Sequence, residues 1–505
     1  MSDTNYNSNL EVPKTSTPCL NYCNGEWLKP SGKEFQIKSP YTNSVIGQSH
    51  ESTAQDLQKI IGSAKKAQKT WGATPIKERS LVMFRFRELL LRDMHKISNQ
   101  ISIECGKTLA EAQAEINKGI EVIEFALSIQ NLDVGGKTEV SRGVFCEYRR
   151  EPLGVVAAIT PFNFPAMVPL WMIPIAITLG NSFIWKPSDK TPLTSILLAK
   201  LLTEAGLPKG VFSVAQGGKS TVELILDHPE IEAIGFVGST QVAKEIYRRG
   251  SQNLKRVLAL GGAKNHILLM PDADLELTAR GISDSFTGCA GQRCMAASVL
   301  CAIAGNAEEE KMVNQLIAAI TKQASQTALG RNLGAIISQE SLSKLQSAIS
   351  QSEKDGAQIL LDGRKPSPPP PFESGNWLSP TILDHVKPGT QAAIDELFGP
   401  VLAIIRCKSL SEALEIQNSN IYGNAVSIFT QNGGAAEKVA SYGKAGMVGV
   451  NIGVPVPREP FSFGGTHESK FGQGDITGVH SLNLWSNMKK ITTKWAAQKD
   501  WTWMG

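Results

Sequence analysis

The sequence predicts an α/β protein with a parallel sheet and helices on both of its faces. Between residues 154 and 262, short apolar runs alternate with helical runs about four times, which is typical of successive βαβ units. Such units connect in a right-handed sense and place ligands at the carboxyl ends of the strands. A chain of 505 residues has room for two or three lobes at roughly 100–200 residues per domain.

The composition fits a folded protein and disfavours several classes of partner. Hydrophobic residues make up 42% of the chain and charged residues 19%, so large cores can be buried. The formal net charge is only +4 and no block is dense in Lys or Arg, so nucleic-acid binding is not expected. The longest apolar stretch, FPAMVPLWMIPIAITLG, contains three prolines and follows a strand-like run, which favours a buried helix over a membrane span.

The predicted elements follow one another in a regular order. The first 20 residues are polar and predict a disordered tail, and three helices are expected next, over Ala54–Trp71, Lys77–Asn99 and Ala110–Asn131. The strand–helix alternation follows, and the same pattern restarts near residue 265 as a second α/β lobe. The proline-rich run 362–375 predicts a surface loop, and the segment KKITTKW predicts a strand near the C-terminus.

The cysteines and histidines argue against a metal site. None of the eight cysteines forms a C-x-x-C pair, and the seven histidines show no H-x-x-x-H spacing, so no metal is expected. The polar N-terminus has no apolar core of the kind that a signal peptide needs. Few cysteines in a long chain indicate free thiols in a reducing compartment, and we therefore expect a cytoplasmic protein.

Two glycine-containing segments raise the question of a phosphate site. The segment QGGKST at 216–221 lacks the first glycine of a P-loop, whose place is taken by Ser213, so we reject it as one. The segment from Gly235 to Thr240, GFVGST, ends a predicted strand and opens a helix. Its amides and the Ser239 hydroxyl would then face a helix N-terminus, where a diphosphate is favoured. An ordinary βα turn is the alternative.

Polar residues also follow two other strands of the predicted sheet. In WKPSD, Lys186 and Asp189 flank a turn and can hold the two hydroxyls of a ribose, and the carboxylate would repel a 2′-phosphate. That favours NAD over NADP, although a solvated lysine and a capping aspartate are the alternative. In TPFNFPA, the side-chain amide of Asn163 can donate to a developing oxyanion or can satisfy its own turn.

The segment GQRCMA at 291–296 places Cys294 directly after Arg293. An adjacent arginine and a turn of small residues can lower the pKa of a thiol and make it a nucleophile. Free cysteine is more often a small buried side chain, and that alternative stays open for the hexapeptide alone.

Taken together, these motifs resemble those of a known family. TPFNFP, KPSD, FVGST, LGG, GQRC and ELFGPV occur in the order and spacing of the NAD(P)-dependent aldehyde dehydrogenase superfamily, from about residue 21 to KKITTKW. The resemblance implies a Rossmann-like NAD-binding domain over residues 21–140 and 154–264 and an α/β catalytic domain over 265–455. It also implies a small β oligomerisation arm over 141–153 and 480–505, in a dimer or tetramer.

The resemblance also implies roles for individual residues. It makes Cys294 the nucleophile and Asn163 the oxyanion-hole amide. The implied NAD-binding residues are Phe162 and Phe398, Lys186 and Asp189 on the adenosine ribose, Gly235 and Ser239 at the pyrophosphate, and Glu396 on the nicotinamide ribose. The family more often has Glu where this chain has Asp189.

One departure from the family concerns the fate of the acyl enzyme. Most members have a glutamate before LGG that activates water, and Ala259 stands there in this chain. Coenzyme A can instead remove the acyl group as a thiolate without that base. GAKNH, RCMA and GVNIGVPVP further resemble the CoA-acylating methylmalonate-semialdehyde dehydrogenase branch, which acts in valine catabolism.

The branch resemblance implies an acidic substrate, methylmalonate or malonate semialdehyde. After oxidation the acyl group would lose CO2 and leave as propionyl-CoA or acetyl-CoA. Arg293 and Lys118 match the two branch arginines that hold the substrate's carboxylate, although lysine lacks the bidentate fork. Arg458 is a further possible anion contact or a plain surface residue.

Two other functions remain open at this point. One is an aldehyde dehydrogenase that hydrolyses its acyl enzyme with another base, for which Asp475 is a candidate beside its alternative as a solvated loop residue. The other is a non-catalytic scaffold that kept the fold. That alternative is disfavoured because every family position except the base is present.

Overall fold

A computed structural model describes residues 10–132 and 135–495 of the chain. The predicted disordered tail over 1–20 is wrong for residues 10–20, and residues 1–9 lie outside the described part. Leu10 and Cys19 are buried, and a short strand at Thr17–Pro18 pairs with Val45–His50. Apolar side chains of this segment join the core, which is why it is ordered despite its polar composition.

Among residues 10–132 and 135–495, the strands are short and fall into five sheets. In chain order they are β1 Thr17–Pro18, β2 Asn21–Cys23, β3 Glu26–Leu28, β4 Glu34–Lys38, β5 Val45–His50, β6 Gly136–Ser141, β7 Val144–Pro152, β8 Val155–Ile159, β9 Ser182–Lys186, β10 Phe212–Val214, β11 Ile231–Val237, β12 Arg256–Leu260, β13 Asn265–Leu269, β14 Ala297–Ile303, β15 Gln358–Leu361, β16 Thr381–Asp384, β17 Val401–Cys407, β18 Tyr422–Gly423, β19 Ala425–Phe429, β20 Met447–Val450, β21 Thr466–His467, β22 Lys470–Phe471 and β23 Ser486–Lys494.

The helices lie between these strands. In chain order they are α1 Ala54–Ala73, α2 Ile76–Arg92, α3 Met94–Cys105, α4 Leu109–Leu132, α5 Met167–Thr178, α6 Leu193–Glu204, α7 Lys219–Asp227, α8 Thr240–Gln252, α9 Leu275–Thr287, α10 Ala307–Ser325, α11 Gln339–Lys354, α12 Gln391–Ile394, α13 Leu410–Ser419, α14 Gly433–Tyr442 and α15 Leu482–Trp485. The helix predicted over Lys77–Asn99 is two helices, because the chain turns at Asp93. The apolar stretch forms the buried helix α5.

The first large sheet has eight strands in the order β22-β12-β11-β8-β9-β10-β2-β3. The five predicted strands, β8 to β12, form its parallel centre, as the sequence predicted. Helices α1, α7 and α8 pack on one face and α2 to α6 on the other. The chain order reverses between β8 and β11, so this sheet has its topological switch point there, where ligands bind in doubly wound folds.

The second large sheet has seven strands in the order β15-β16-β17-β14-β13-β19-β20. All its pairs are parallel except β15 with β16, which confirms the predicted second α/β lobe. Helices α9 and α10 cover one face, and α11, α13 and α14 cover the other. The predicted loop over 362–375 contains neither helix nor strand, and its Phe372 is buried against Tyr41.

A third sheet of three antiparallel strands, β23-β7-β6, stands apart from the two lobes. The sheet begins at Gly136, five residues before the predicted start of the oligomerisation arm at residue 141. Its C-terminal strand, β23, ends at Lys494 within the described residues. Most of its side chains are at least partly exposed. Among the described residues, no helix combines the length and apolar character needed to cross a membrane.

Candidate active site

Cys294 lies in a tight loop between α9 and β14. The chain reverses there through three successive residues with left-handed backbones, Cys289, Ala290 and Gly291, with φ of 54°, 52° and 68°. A side chain at Gly291 would place its Cβ 2.1 Å from the Gly399 carbonyl oxygen, so glycine is required at that position. This turn lifts the following residues toward the first lobe.

Three side chains hold the loop from different elements. The Glu111 carboxylate on α4 accepts from the Cys289 N–H at 2.5 Å. The carbonyl oxygen of Cys294 accepts from the side-chain amides of Asn265 at 2.7 Å and Asn424 at 3.0 Å. Because the carbonyl is tied on both sides, the backbone of Cys294 has little freedom, and the residue is half-buried.

The Cys294 thiol is half-buried and protonated at neutral pH. Burial raises its pKa to about 12, and the nearby charge of Glu396 also raises it. The backbone N–H groups of Cys294 and Met295 and the charge of Arg293 act in the opposite direction. The thiol therefore needs a proton acceptor, or removal of the negative charge beside it, before it becomes a thiolate.

Asn163 is buried just beyond the carboxyl end of β8. Its Nδ2 donates to the Gln292 carbonyl oxygen at 2.9 Å, which places the amide beside the Cys294 loop. Gln292 is itself fixed, because its side chain bonds the backbone of Ala335 and Ile337 in the second lobe. An amide group has two N–H donors, so the second one on Asn163 is available to an oxyanion.

Glu396 lies in the segment after α12, near enough to Cys294 for its charge to raise the pKa of that thiol. Burial raises its pKa to about 7, although the N–H of Ala263, 3.0 Å from its Oε1, and the charge of Lys264 act to lower it. Lys264 is buried, its Nζ has no hydrogen-bond partner among the described residues, and burial lowers its pKa to about 8. Glu396 and Lys264 are both buried, and the attraction between their charges offsets only part of the cost of burying them.

The carboxyl end of β9 carries Lys186 and, beyond it, Asp189, with a third group that the sequence did not indicate. Glu51 accepts from the Gly218 N–H at 2.9 Å and from the Ser220 hydroxyl at 2.7 Å. Burial acts to raise the pKa of Glu51, but these hydrogen bonds hold it below the usual value. Burial lowers the pKa of Lys186, and the charges of Asp189 and Glu51 act against that.

Glu51 also explains why QGGKST is not a phosphate site. Its carboxylate reaches the N-terminus of α7 and bonds the first amide and two hydroxyls there, including Thr221. The positive end of that helix is already neutralised by a side chain. In the structure, a carboxylate occupies the place where a P-loop would hold a phosphate, which agrees with the rejection of a P-loop.

The turn between β11 and α8 differs in detail from the prediction. Gly235 lies inside β11, not in the turn, and a Cβ there would come 2.5 Å from the Met172 sulfur. Close packing against α5 therefore explains this glycine. Gly238 and Ser239 form the turn, and Ser239 caps α8 with its side chain exposed and no capping hydrogen bond. The Ser239 hydroxyl and the helix N-terminus thus face solvent at the switch point.

Phe162 and Phe398 come together although 236 positions separate them. Their ring centroids are 5.8 Å apart and nearly perpendicular. Lys190 lies 5.4 Å from the Phe162 ring centroid, and Phe398 has a left-handed backbone with φ of 59°. The pair joins the end of β8 to the segment that carries Glu396.

The two residues predicted to bind a substrate carboxylate have partners within the protein. Lys118 Nζ lies 2.8 Å from Glu459 and 3.0 Å from Glu121. The Arg293 guanidinium donates to the carbonyl oxygens of Asp284 and Ser285 near the end of α9, and its Nε is buried without a partner among the described residues. Their role in substrate binding stays a prediction.

Arg458 is largely exposed and lies 3.7 Å from Glu121. This contact is weak at that distance, so Arg458 matches its alternative as a surface residue more closely than a buried anion contact.

No ionisable side chain stands at the position of the usual base. Ala259 lies in β12, fully buried, with Phe236 and Phe471 opposite it on the neighbouring strands. Asp475, the alternative base, is held by Lys470 at 3.0 Å and His480 at 3.1 Å. Its charge is therefore used in an ion pair with Lys470 at the β22 edge.

Several contributors to the site escaped the sequence analysis. Lys264 and Asn265 stand inside GAKNH, and their polar character beside a buried strand is the signal that could have indicated them. Glu51, Asn424 and Glu459 lie in no recognised motif, and nothing local distinguishes them from surface residues.

The chain matches known proteins over nearly its whole length. The model of the aldehyde dehydrogenase family matches residues 27–491. A malonate-semialdehyde dehydrogenase 2 of Oceanobacillus iheyensis is 39% identical over 487 residues, covering 94% of this chain and 98% of the relative. A malonate-semialdehyde dehydrogenase of Halalkalibacterium halodurans is 38% identical and covers 95% and 99%.

Solved structures agree with the sequence comparison. The methylmalonate-semialdehyde dehydrogenase of Oceanimonas doudoroffii superimposes with a TM-score of 0.92 at 36% identity, covering 95% of this chain and 99% of that one. A Sinorhizobium meliloti 1021 protein described as a methylmalonate-semialdehyde dehydrogenase, complexed with NAD, gives 0.93 at 36% identity with 96% and 100% covered. The chain belongs to the aldehyde dehydrogenase family.

Proposed function

We propose that this enzyme oxidises malonate or methylmalonate semialdehyde with NAD and passes the acyl group to coenzyme A. The observation that carries the proposal is that the Cys294 loop is held in place while a buried alanine stands where most members have their base. Asn163 donates to the loop that carries Cys294, whereas Ala259 is fully buried. The names of the relatives at 38–39% identity support the same substrate class.

The carboxyl ends of the strands in the first large sheet carry groups that suit NAD. The Ser239 hydroxyl stands exposed at the N-terminus of α8, where a diphosphate is favoured. Lys186 and Asp189, with Glu51 beside them, offer a donor and acceptors for ribose hydroxyls, and Glu396 would hold the second ribose. NAD, when bound there, would accept the hydride that converts the thiol adduct to a thioester.

The chain's own residues account for the first chemical step. The Cys294 sulfur forms a bond to the aldehyde carbon, and the carbonyl π electrons move to the oxygen. The side-chain N–H of Asn163 and the backbone N–H of Cys294 stabilise that oxyanion. The thiol proton must leave before the sulfur attacks, because the thiolate is the nucleophile.

Transfer to a thiol then releases the acyl group. If the substrate carries a β-carboxylate, the bond to that carboxylate breaks, CO2 leaves, and the thioester carbonyl accepts the electron pair as an enolate that takes up a proton. The sulfur of coenzyme A bonds to the acyl carbon and Cys294 leaves as a thiolate. Propionyl-CoA or acetyl-CoA is the product.

Hydrolysis of the acyl enzyme is the second candidate. The observation that favours it is Glu396, whose pKa of about 7 suits a base that activates water beside the acyl group. The two candidates differ in the product and in their need for coenzyme A, not in the oxidation step.

The test measures NADH and identifies the product from malonate semialdehyde with and without coenzyme A. We expect NADH formation that requires coenzyme A for turnover, and acetyl-CoA as the product. Cys294→Ala should abolish NADH formation, while Cys289→Ala, which removes a buried thiol of the same loop, should retain it. Free acid formed at the full rate without coenzyme A would show hydrolysis, and no NADH from the wild type would favour a non-catalytic scaffold.

We also propose that the protein assembles as a dimer or tetramer through the sheet β23-β7-β6. Among the described strands, β6 has an unpaired edge, and an unpaired strand edge is a template for pairing with another chain. The eight cysteines are all free thiols, which suits the proposed cytoplasmic location. Light scattering of the purified chain tests the assembly, and a monomer at micromolar concentration would refute it.

A further inference from the structure

Lys118 lies at the centre of a small ionic cluster made of Lys118, Glu121, Arg458 and Glu459. Its Nζ contacts Glu459 at 2.8 Å and Glu121 at 3.0 Å, and Arg458 lies 3.7 Å from Glu121. Two positive and two negative groups make the cluster neutral. An incoming carboxylate would therefore meet no net attraction there.

Glu459 is the unusual member of this ionic cluster. Its side chain is 7% exposed, whereas the side chain of Glu121 is 36% exposed. Its Oε2 is the atom that contacts Lys118, and its Oε1 is buried with no hydrogen-bond partner among the described residues. A buried carboxylate with one oxygen unsatisfied is costly, so its bond to Lys118 is the contact that retains it.

The cluster continues a stripe of α4 that faces the nucleophile loop. Glu111 bonds Cys289, and Glu115, four residues on, bonds the N–H groups of Ala166 and Met167 at the start of α5. Lys118 follows three residues later on the same helix face. Lys118 therefore lies one turn beyond residues that support Cys294 and the segment after Asn163.

Glu459 reaches Lys118 from the segment that follows β20. The carbonyl oxygen of Gly453 accepts from Ser285 at 2.6 Å, next to the contacts of Arg293 on α9. Val454 and Val456 then pack against the same apolar cluster as Cys294. The segment 453–459 thus runs from α9 to α4, where Glu459 contacts Lys118.

We propose that Glu459 sets the affinity for acidic aldehydes by occupying Lys118, so that the substrate's carboxylate must displace Glu459 to bind. This inference rests on the proposed function and names the residue that tunes its substrate class. It makes Glu459 a specificity-determining residue that acts through Lys118. It predicts that the protein binds acidic aldehydes more weakly than a variant with a neutral residue at position 459.

The test compares wild type with Glu459→Gln, which keeps the shape and removes the charge. We expect the KM for malonate semialdehyde to fall about tenfold, as expected when one close like charge is removed, and kcat to change less than about twofold. The KM for propanal, an uncharged aldehyde of similar length, should not change. Glu121→Gln is the matched control, and its greater exposure predicts an effect below about threefold.

A second readout does not depend on turnover. Malonate should protect Cys294 from alkylation by iodoacetamide, and Glu459→Gln should lower the half-protecting concentration about tenfold. In a Lys118→Met background the Glu459→Gln change should have no effect on either readout, because the group through which it acts is gone.

The outcomes separate this inference from the proposed function. No oxidation of malonate semialdehyde by the wild type would refute the proposed function, whereas the malonate protection would still report on Glu459. A Glu459→Gln protein that is folded, by its unchanged propanal kinetics, and binds malonate no better than wild type would overturn the inference. An equal gain in the Lys118→Met background would also overturn it.

Discussion

Replacing Glu396 by glutamine should make Cys294 more reactive toward alkylation. Burial is the larger cause of the high pKa of the thiol, about 12, and the Glu396 charge is the second. Glutamine keeps an oxygen for the Ala263 N–H but removes the charge. A nearby like charge shifts a pKa by about one unit or more, so we expect about tenfold more thiolate at a given pH.

The pH dependence makes this prediction specific. Glu396 has a pKa of about 7, so its charge is absent below that value and present above it. The alkylation rates of wild type and variant should therefore converge near pH 6 and differ about tenfold above about pH 8. Iodoacetamide labelling, with the Cys294 peptide quantified by mass spectrometry, measures both rates.

A matched control separates this local effect from a general one. Glu340 is exposed and paired with Lys344 at 2.6 Å, so Glu340→Gln should leave the labelling profile unchanged. Equal profiles for wild type and Glu396→Gln across the whole pH range, or slower labelling of the variant, would refute the reasoning.

Three further changes test other parts of the site and core. Asn163→Ala should lower kcat by about 10²–10³-fold and leave thiol labelling intact, and an unchanged kcat would exclude its oxyanion role. Lys107→Met leaves the buried Glu115 carboxylate, 2.5 Å from Lys107, without its ion-pair partner. It should lower the free energy of unfolding of the first lobe in urea by about 3–5 kcal/mol. The exposed pair lost in Lys344→Met should cost at most about 1 kcal/mol, and equal losses would contradict this. Asp189→Ser should raise kcat/KM for NADP relative to NAD about tenfold, and a constant ratio would argue against its ribose contact.

Local patterns in the sequence determined much of the fold. The strands β8 to β12 are apolar at nearly every position because both faces of a central parallel sheet are covered, and their alternation with helices was therefore readable. For the same reason, TPFNFP could be placed just past a strand and the Cys294 segment between a helix and a strand. The break at Asp93 and the strand β22 could not, because each depends on packing against distant elements.

The sequence by itself predicted the alternation of strands and helices in both lobes and Cys294 as a candidate nucleophile, and it shows Ala259 at the place of the usual base. The tertiary structure alone decided which charges meet. Glu459 reaches Lys118 across 341 positions, and Glu51 reaches the N-terminus of α7 across 167. Periodicity reports only which face of an element is buried, whereas an ion pair depends on where two separate elements pack. Whether a lysine is open to a substrate or neutralised by a glutamate is therefore settled in three dimensions.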